Sequence, residues 1–299
     1  MKVIEREIPY RGRGTELRLY AVADVHLGNR ATDEVRLDRT LDEIDKDPNG
    51  YWLLLGDQCD FIAAHDPRFD LSSLPRWLYD AAYDNPKVGL GALQRDELAR
   101  RINKRKTLGR KLLGVIEGNH EAMIRKYSEI DSYTGLIEQI RPDGETPLAL
   151  GASGFVVLRF RRIAGEGEDR GANGYTLRLY AHHGWGGGDL SGGVALKLER
   201  EMERYDADCY LMGHHHKIQT IAQARPITLN QQLELVQPPD RIGAICGTYL
   251  RSRIAAADTY AEVKGYRPSP SSSDVVIRVR PNTGTYSVEA RNSNQEAAL

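Results

Sequence analysis

Five short apolar runs in this chain each end in residues that can hold a metal ion. That pattern narrows the possible fold more than any other feature. Residues 17–23 lead into Asp24, 51–55 into Gly56-Asp57, and 112–116 into Gly118-Asn119-His120. Residues 176–181 lead into His182-His183, and 208–212 into Gly213-His214. Each run is short and rich in β-branched or aromatic residues, which predicts a buried strand. Ligand crevices in open α/β sheets form beyond the carboxyl ends of strands. A buried strand ending in an unpartnered Asp or His is costly, so these side chains are expected to share a partner.

Helices fit between the strands. Val35, Leu37, Leu41 and Ile44 have helical spacing, and residues 194–205 read as a second helix. Residues 61–111 read as an insertion that opens on turn-rich sequence and closes on a basic helical stretch, 94–111. Residues 217–291 alternate strand-like runs (242–250, 274–280, 285–290) with turns, as a strand-rich C-terminal extension covering the core. Residues 269–273 read as a loop and 292–299 as a disordered tail, which makes 1–299 one domain.

With 299 residues, 40% of them apolar, a large core is feasible, and a net charge of −1 argues against a general polyanion-coating protein. Cys59, Cys209 and Cys246 lie far apart with no C-x-x-C pair, so neither a disulfide framework nor a thiolate zinc site is expected. The N-terminal residues do not read as a signal peptide, and no apolar run has the length of a membrane span. A cytoplasmic protein with no membrane partner is expected.

The chemistry lies in the ordered set Asp24-x-His26, Gly56-Asp57, Gly118-Asn119-His120-Glu121, His182-His183 and Gly213-His214-x-His216. Two adjacent divalent cations need a carboxylate to bridge them, with imidazoles and oxygen donors completing each shell. An Asp-x-His placed after a strand can aim both side chains at one metal, because alternate residues point the same way. Singly, each fragment is an ordinary turn or helix start, with Asn119 a plausible N-cap. In this order, each at a strand end, they form a single constellation.

The set resembles that of the calcineurin-like metallophosphoesterase superfamily, whose pattern runs D-x-H, G-D, G-N-H-[DE], H and G-H-x-H. The run from His182 to Gly188, H-H-G-W-G-G-G, is similar to that of phage-derived and archaeal members of a nuclease-like branch. The resemblance implies an α/β fold, a four-layer α-β-β-α sandwich of two mixed β-sheets flanked by helices, here with a helical insertion. It implies that Asp24, His26 and His216 bind one metal, that Asn119, a histidine of the pair and His214 bind the other, and that Asp57 bridges them. Relatives with H-x-P or H-x-G favour His182 as the ligand, and those with H-G favour His183. His182 is assigned here, with His183 and Trp185 as substrate contacts. His120 is implied as the catalytic group that holds the phosphate or protonates the leaving oxygen. Asp60 resembles the last residue of G-D-x-x-D in serine/threonine protein phosphatases, where it orients that histidine. The phosphatase pattern continues with Arg-Gly, whereas this chain has Phe61-Ile62, which argues against a protein phosphatase.

The expected function is hydrolysis of a phosphate ester through a metal-bridging hydroxide held by two divalent ions, Mn²⁺ foremost with Fe²⁺ or Zn²⁺ also fitting. A phosphodiesterase or nuclease is preferred to a phosphomonoesterase acting on nucleotides or proteins. A nucleic-acid-binding scaffold with structural metals is the reading from another class. Residues 94–111 carry eight basic and two acidic residues, which suits a nucleic-acid partner or, alternatively, a solvated helix face. The glycine-dense residues 184–193 suit either a backbone phosphate cradle or a plain connection.

Overall fold

A computed structural model of the chain describes residues 1–62, 66, 69–128, 130–140, 148–163, 174–187, 190–254, 259–263 and 274–291. In chain order the elements are β1 (Lys2–Tyr10), β2 (Leu17–Val22), α1 (Glu34–Lys46), β3 (Gly50–Leu55), α2 (Arg76–Asp84), α3 (Leu90–Asn103) and α4 (Leu108–Lys111). There follow β4 (Leu112–Ile116), α5 (Asn119–Ser128), α6 (Ser132–Ile140), β5 (Ala149–Gly151), β6 (Ser153–Arg162), β7 (Tyr175–His182), α7 (Ser191–Arg204) and β8 (Cys209–Met212). The last are β9 (Gln219–Gln223), β10 (Thr228–Leu229), β11 (Leu235–Val236), β12 (Arg241–Ile245), α8 (Tyr260–Val263), β13 (Val275–Arg280) and β14 (Thr285–Ala290). The loop expected at 269–273 and the tail expected at 292–299 lie outside the described residues.

Two six-stranded mixed sheets form the frame, ordered β1-β6-β7-β8-β12-β9 and β14-β13-β2-β3-β4-β5. The central strands are apolar on both faces, and their period-two alternation divides the core into layers. Leu17, Leu19 and Ala21 of β2 and Leu53 and Leu55 of β3 join Leu158, Leu179 and Leu211 between the sheets. Tyr20, Val22, Trp52 and Leu54 point the other way, against Leu37, Leu41 and Ile44 of α1 and residues of α3 to α6. Beyond the other sheet, Val194, Leu198 and Met202 of α7 cover Tyr180 and Tyr210. The layers are therefore helix, sheet, sheet, helix, as the motif resemblance implied.

The basic stretch 94–111 becomes α3, a turn and α4, and three of its eight cations are turned onto α1, while Arg100, Lys104, Lys106 and Arg110 are exposed. Arg101 pairs with Glu34, Asp38 and Glu97, and Arg105 with Asp38 and Asp42. The Lys111 ammonium donates to the carbonyl groups of Ile44, Asp45 and Asp47 at 2.7–2.8 Å. These three basic residues hold two helices together and cap the C-terminal end of α1, where a cation also suits the helix dipole.

Strands β2, β3 and β4 run parallel in one sheet, as do β7, β8 and β12 in the other. The residues that follow these strands come together at one edge of the sandwich.

Candidate metal centre

The backbone at this edge is bent where the donors sit. Asp24, His26, Asp57, His214 and His216 all have positive φ, between 49° and 70°; among the described residues only Phe61 and Leu233 are other non-glycine cases. A left-handed residue with a side chain costs about 1–2 kcal/mol, and such strain persists only where neighbouring structure over-determines it. Here the neighbours are visible. The Asp24 N–H donates to the Gly56 carbonyl at 3.2 Å and the His26 N–H to the Asp57 carbonyl at 3.0 Å. The Asp24 carbonyl accepts from the Thr248 hydroxyl at 2.8 Å and from the Tyr249 N–H at 3.0 Å. Gly56 has φ +94°, and a Cβ there would lie 2.3 Å from His183 Nδ1, so only glycine lets the two loops meet.

Two groups of donors result. In the first, His26 Nε2 and His216 Nε2 are 3.1 Å apart, and Asp24 Oδ1 lies 3.5 Å from His216 Nε2. In the second, Asn119 Oδ1 lies 3.1 Å from His183 Nε2 and 2.8 Å from His214 Nδ1. Asp57 Oδ2 stands between them, 3.3 Å from His183 Nε2 and 3.9 Å from His26 Nε2. Asp24, Asp57 and His26 are almost fully buried. Asp24, His26 and His216 have donor atoms within 4.8 Å of one another, as do Asp57, His183 and His214, and His26, Asp60 and His120 form a third such group. Carboxylate, amide and imidazole donors on a shared carboxylate fit a pair of divalent ions.

The electrostatics point the same way. Burial alone raises the Asp57 carboxyl, but the imidazoles of His120, His183 and His26 hold it well below the usual carboxylate range. Burial works against charge on His183, yet Asp57 pushes it up to about 10. Each side chain thus favours the charged form of the other, in a place that a cation suits. Burial lowers His26 and His214, leaving neutral imidazoles with lone pairs to offer.

The histidine pair sorts itself by strand alternation. His183, not the assigned His182, faces the second group of donors. The Nδ1–H of His183 donates to the Leu55 carbonyl at 2.8 Å, which aims Nε2 inward. His182 lies at the end of β7 on the opposite face, with Nδ1 accepting from the Gly184 N–H at 2.6 Å and its ring edge-on to Trp185. Trp185 is partly buried against the α7 layer, so packing accounts for it.

Asp60 also sits differently from expectation. His120 Nδ1 meets the backbone carbonyl of Asp60, not its carboxylate. The carboxylate faces His26 Nδ1 at 3.4 Å and accepts from Asn29 Nδ2 at 3.2 Å. The cause is backbone pairing: residues 57–60 run beside 26–27, with the Asp60 N–H donating to the Leu27 carbonyl. His120 itself is at the centre, its Nε2 3.9 Å from Asp57 Oδ2.

Glu121 has a role that the motif alone did not disclose. Its buried carboxylate accepts the N–H groups of Asp57 at 3.0 Å, Gln58 at 2.7 Å and Gly118 at 2.9 Å. It ties the two loops that carry Asp57 and Asn119. The only signal in the sequence was an acid directly after G-N-H. Thr248 was missed as well, because nothing near it in the sequence resembles a donor motif.

No family model and no curated protein matches the chain. Among solved structures, a metallophosphoesterase from Sphaerobacter thermophilus is 14% identical over 95% of each chain, with a TM-score of 0.36. The calcineurin-like phosphoesterase YfkN from Bacillus subtilis is 12% identical over 93% of this chain and 91% of its own, at 0.40. Vps29 from Entamoeba histolytica, complexed with zinc, is 12% identical over 92% and 98%, at 0.33. In the order of its motifs the chain resembles the calcineurin-like metallophosphoesterase superfamily.

Proposed function

We propose that this chain is a metal-dependent phosphoesterase, of the phosphodiesterase kind, with Mn²⁺ as its preferred ion. The observation that carries this reading is the sharing of Asp57 between two donor groups, one with Asp24, His26 and His216 and one with Asn119, His183 and His214. We assign these seven as the ligands. A bound pair of divalent cations supplies hydroxide at neutral pH and neutralises phosphate charge. The chain's residues do the remainder. Asp57 and Glu121 fix the spacing of the two loops, and buried His26 and Asp24 keep bulk water from one side. His120, whose Nδ1–H is held by the Asp60 carbonyl, would in its doubly protonated form give the Nε2 proton to the leaving oxygen and end as the neutral ring.

The side-chain contacts described for the donors are with carboxylate, imidazole, amide and backbone groups. A singly charged diester asks less of extra cations than a monoester dianion, and the diester is the form of the reading put to the test. A nuclease is the narrower form of this reading. Of the basic stretch, Arg101, Arg105 and Lys111 are engaged with α1, which leaves the exposed Arg100, Lys104, Lys106 and Arg110 for a nucleic-acid backbone. The test is hydrolysis of bis-p-nitrophenyl phosphate, p-nitrophenyl phosphate and single- and double-stranded oligonucleotides, with added Mn²⁺. Asp57→Asn is expected to lose at least about 10²–10³-fold in rate, the scale of removing one key electrostatic group. A clear preference for the monoester overturns the diester choice, and no turnover of any ester overturns the enzyme.

The three cysteines are buried free thiols, and no described helix is long and apolar enough to cross a membrane.

A further inference from the structure

We propose that Lys197 is a positioning residue for His214, acting through the backbone carbonyls of residues 185–187. The inference rests on the metal-centre reading above and concerns how one donor of that centre is aimed.

His214 must present Nδ1 to the centre, where it lies 2.8 Å from Asn119 Oδ1. Its other nitrogen, Nε2, lies 3.0 Å from the Gly186 carbonyl oxygen. A carbonyl only accepts, and Asn119 Oδ1 accepts as well, so a hydrogen on either ring nitrogen finds a partner; a cation at Nδ1 requires it on Nε2, where the Gly186 carbonyl receives it. The position of that carbonyl oxygen therefore favours the metal-binding tautomer and sets the ring angle.

That carbonyl sits in glycine-dense chain, which has little stiffness of its own. Gly186 has φ +66°, a conformation that costs glycine nothing. Gly184 has φ +108°, and a Cβ on it would lie 2.7 Å from the His214 Cβ, so this turn packs directly on the histidine. What holds the turn is Lys197, reaching from α7. Its Nζ donates to the Trp185 and Gly187 carbonyls, each at 2.8 Å, with the Gly186 carbonyl at 3.4 Å. An ammonium has three donors, and here three successive carbonyls converge on it. The glycine-dense run thus turns carbonyl groups inward, toward a lysine and a histidine. The N–H of Gly184 is taken by His182.

The chain of cause runs from α7 through Lys197 and the Gly186 carbonyl to the His214 tautomer, and so to one of the two cation positions. The other position, built on Asp24, His26 and His216, has no part in it. Groups that orient metal-binding histidines typically change affinity about 10–100-fold when removed.

The experiment uses the full chain. Calorimetric titration with Mn²⁺ is run on the parent protein, Lys197→Met and Lys197→Arg. The parent is expected to show two binding steps. Lys197→Met is expected to weaken one of them about 10–100-fold, leave the other unchanged, and be partly rescued by arginine. In parallel, ¹⁵N NMR of the metal-free parent is expected to show His214 protonated at Nε2, and the methionine variant to show mixed tautomers. A purely structural lysine lowers the melting temperature of Lys197→Met yet leaves both binding steps and the tautomer as they were, and that result overturns the proposal. If Lys197→Met fails to fold, His214 protonated at Nδ1 in the metal-free parent overturns it equally. A parent protein that binds no Mn²⁺ removes the metal centre itself, a different failure from two unchanged steps.

Discussion

His26 and His216, 190 residues apart in the chain, point their Nε2 atoms at one another across 3.1 Å. At most one of the two can donate to the other, and burial lowers His26 so that its ring tends to the neutral form. The Asp24 carboxylate accepts the His214 N–H at 2.9 and 3.0 Å and keeps further lone pairs toward the two rings, with Oδ1 3.5 Å from His216 Nε2. A cation satisfies them together.

Added Mn²⁺ should therefore raise the melting temperature of the chelator-treated protein. A ligand at a hundred times its Kd stabilises by about 2.7 kcal/mol, a shift that scanning calorimetry resolves. His216→Ala should lose a large part of that rise. An unchanged melting temperature on adding Mn²⁺ to the parent counts against the centre.

Glu121→Gln should both destabilise the protein and disturb the site. Burial and then the charge of Asp57 push the Glu121 carboxyl up to about 7, but its two oxygens still serve three N–H donors. An amide replaces one acceptor with a donor that faces an N–H, at a cost of about 1–3 kcal/mol. Urea denaturation should show the loss, with reduced hydrolysis under conditions where the variant remains folded.

The frame and the site were legible in the sequence to different degrees. Strands β2, β3, β4, β7 and β8 could be read because both of their faces are buried and their apolar runs stop at polar donors. Helices α1 and α7 could be read because they are amphipathic. Strand β1, which pairs with β6 along Lys2–Tyr10, could not, because outward Glu5 and Glu7 alternate with inward Ile4 and Ile8 in a stretch that resembles charged loop. The donors were legible as residue types. Which histidine of the pair turns inward was not, because that depends on where β7 ends and on the Leu55 carbonyl that receives His183. Nor could the partner of Asp60 be read, since it is set by pairing between residues 26–27 and 57–60.

Acid should weaken the helix-to-sheet junction at Asp47 before it reaches the core. Burial raises this carboxyl, but the Arg18 guanidinium at 2.5 Å, the Asn49 N–H at 2.9 Å and Tyr20 hold it below the usual range. A carboxyl depressed in the folded state contributes stability that is fully present above its unfolded value, about 3.9. That contribution is lost as pH falls through the folded value. Asp47→Asn should thus be less stable than the parent at pH 7, and the gap should close below about pH 4. A gap that widens in acid contradicts this sign.

Arg101→Ala should cost stability rather than activity. Its guanidinium is largely buried among Glu34, Asp38 and Glu97, and removing it leaves Glu34 without its ion-pair partner and Asp38 with Arg105 alone. A loss of about 1–3 kcal/mol is expected, with bis-p-nitrophenyl phosphate hydrolysis unchanged. If instead stability holds and salt-sensitive binding to DNA falls, the stretch 94–111 is a nucleic-acid surface after all.

The most direct measurement of the central claim is anomalous diffraction from crystals soaked in Mn²⁺. The account predicts two peaks about 3.5–4 Å apart on either side of the Asp57 carboxylate, one against Asp24, His26 and His216 and the other against Asn119, His183 and His214. No peak among these side chains, or ions only on the protein surface, contradicts it.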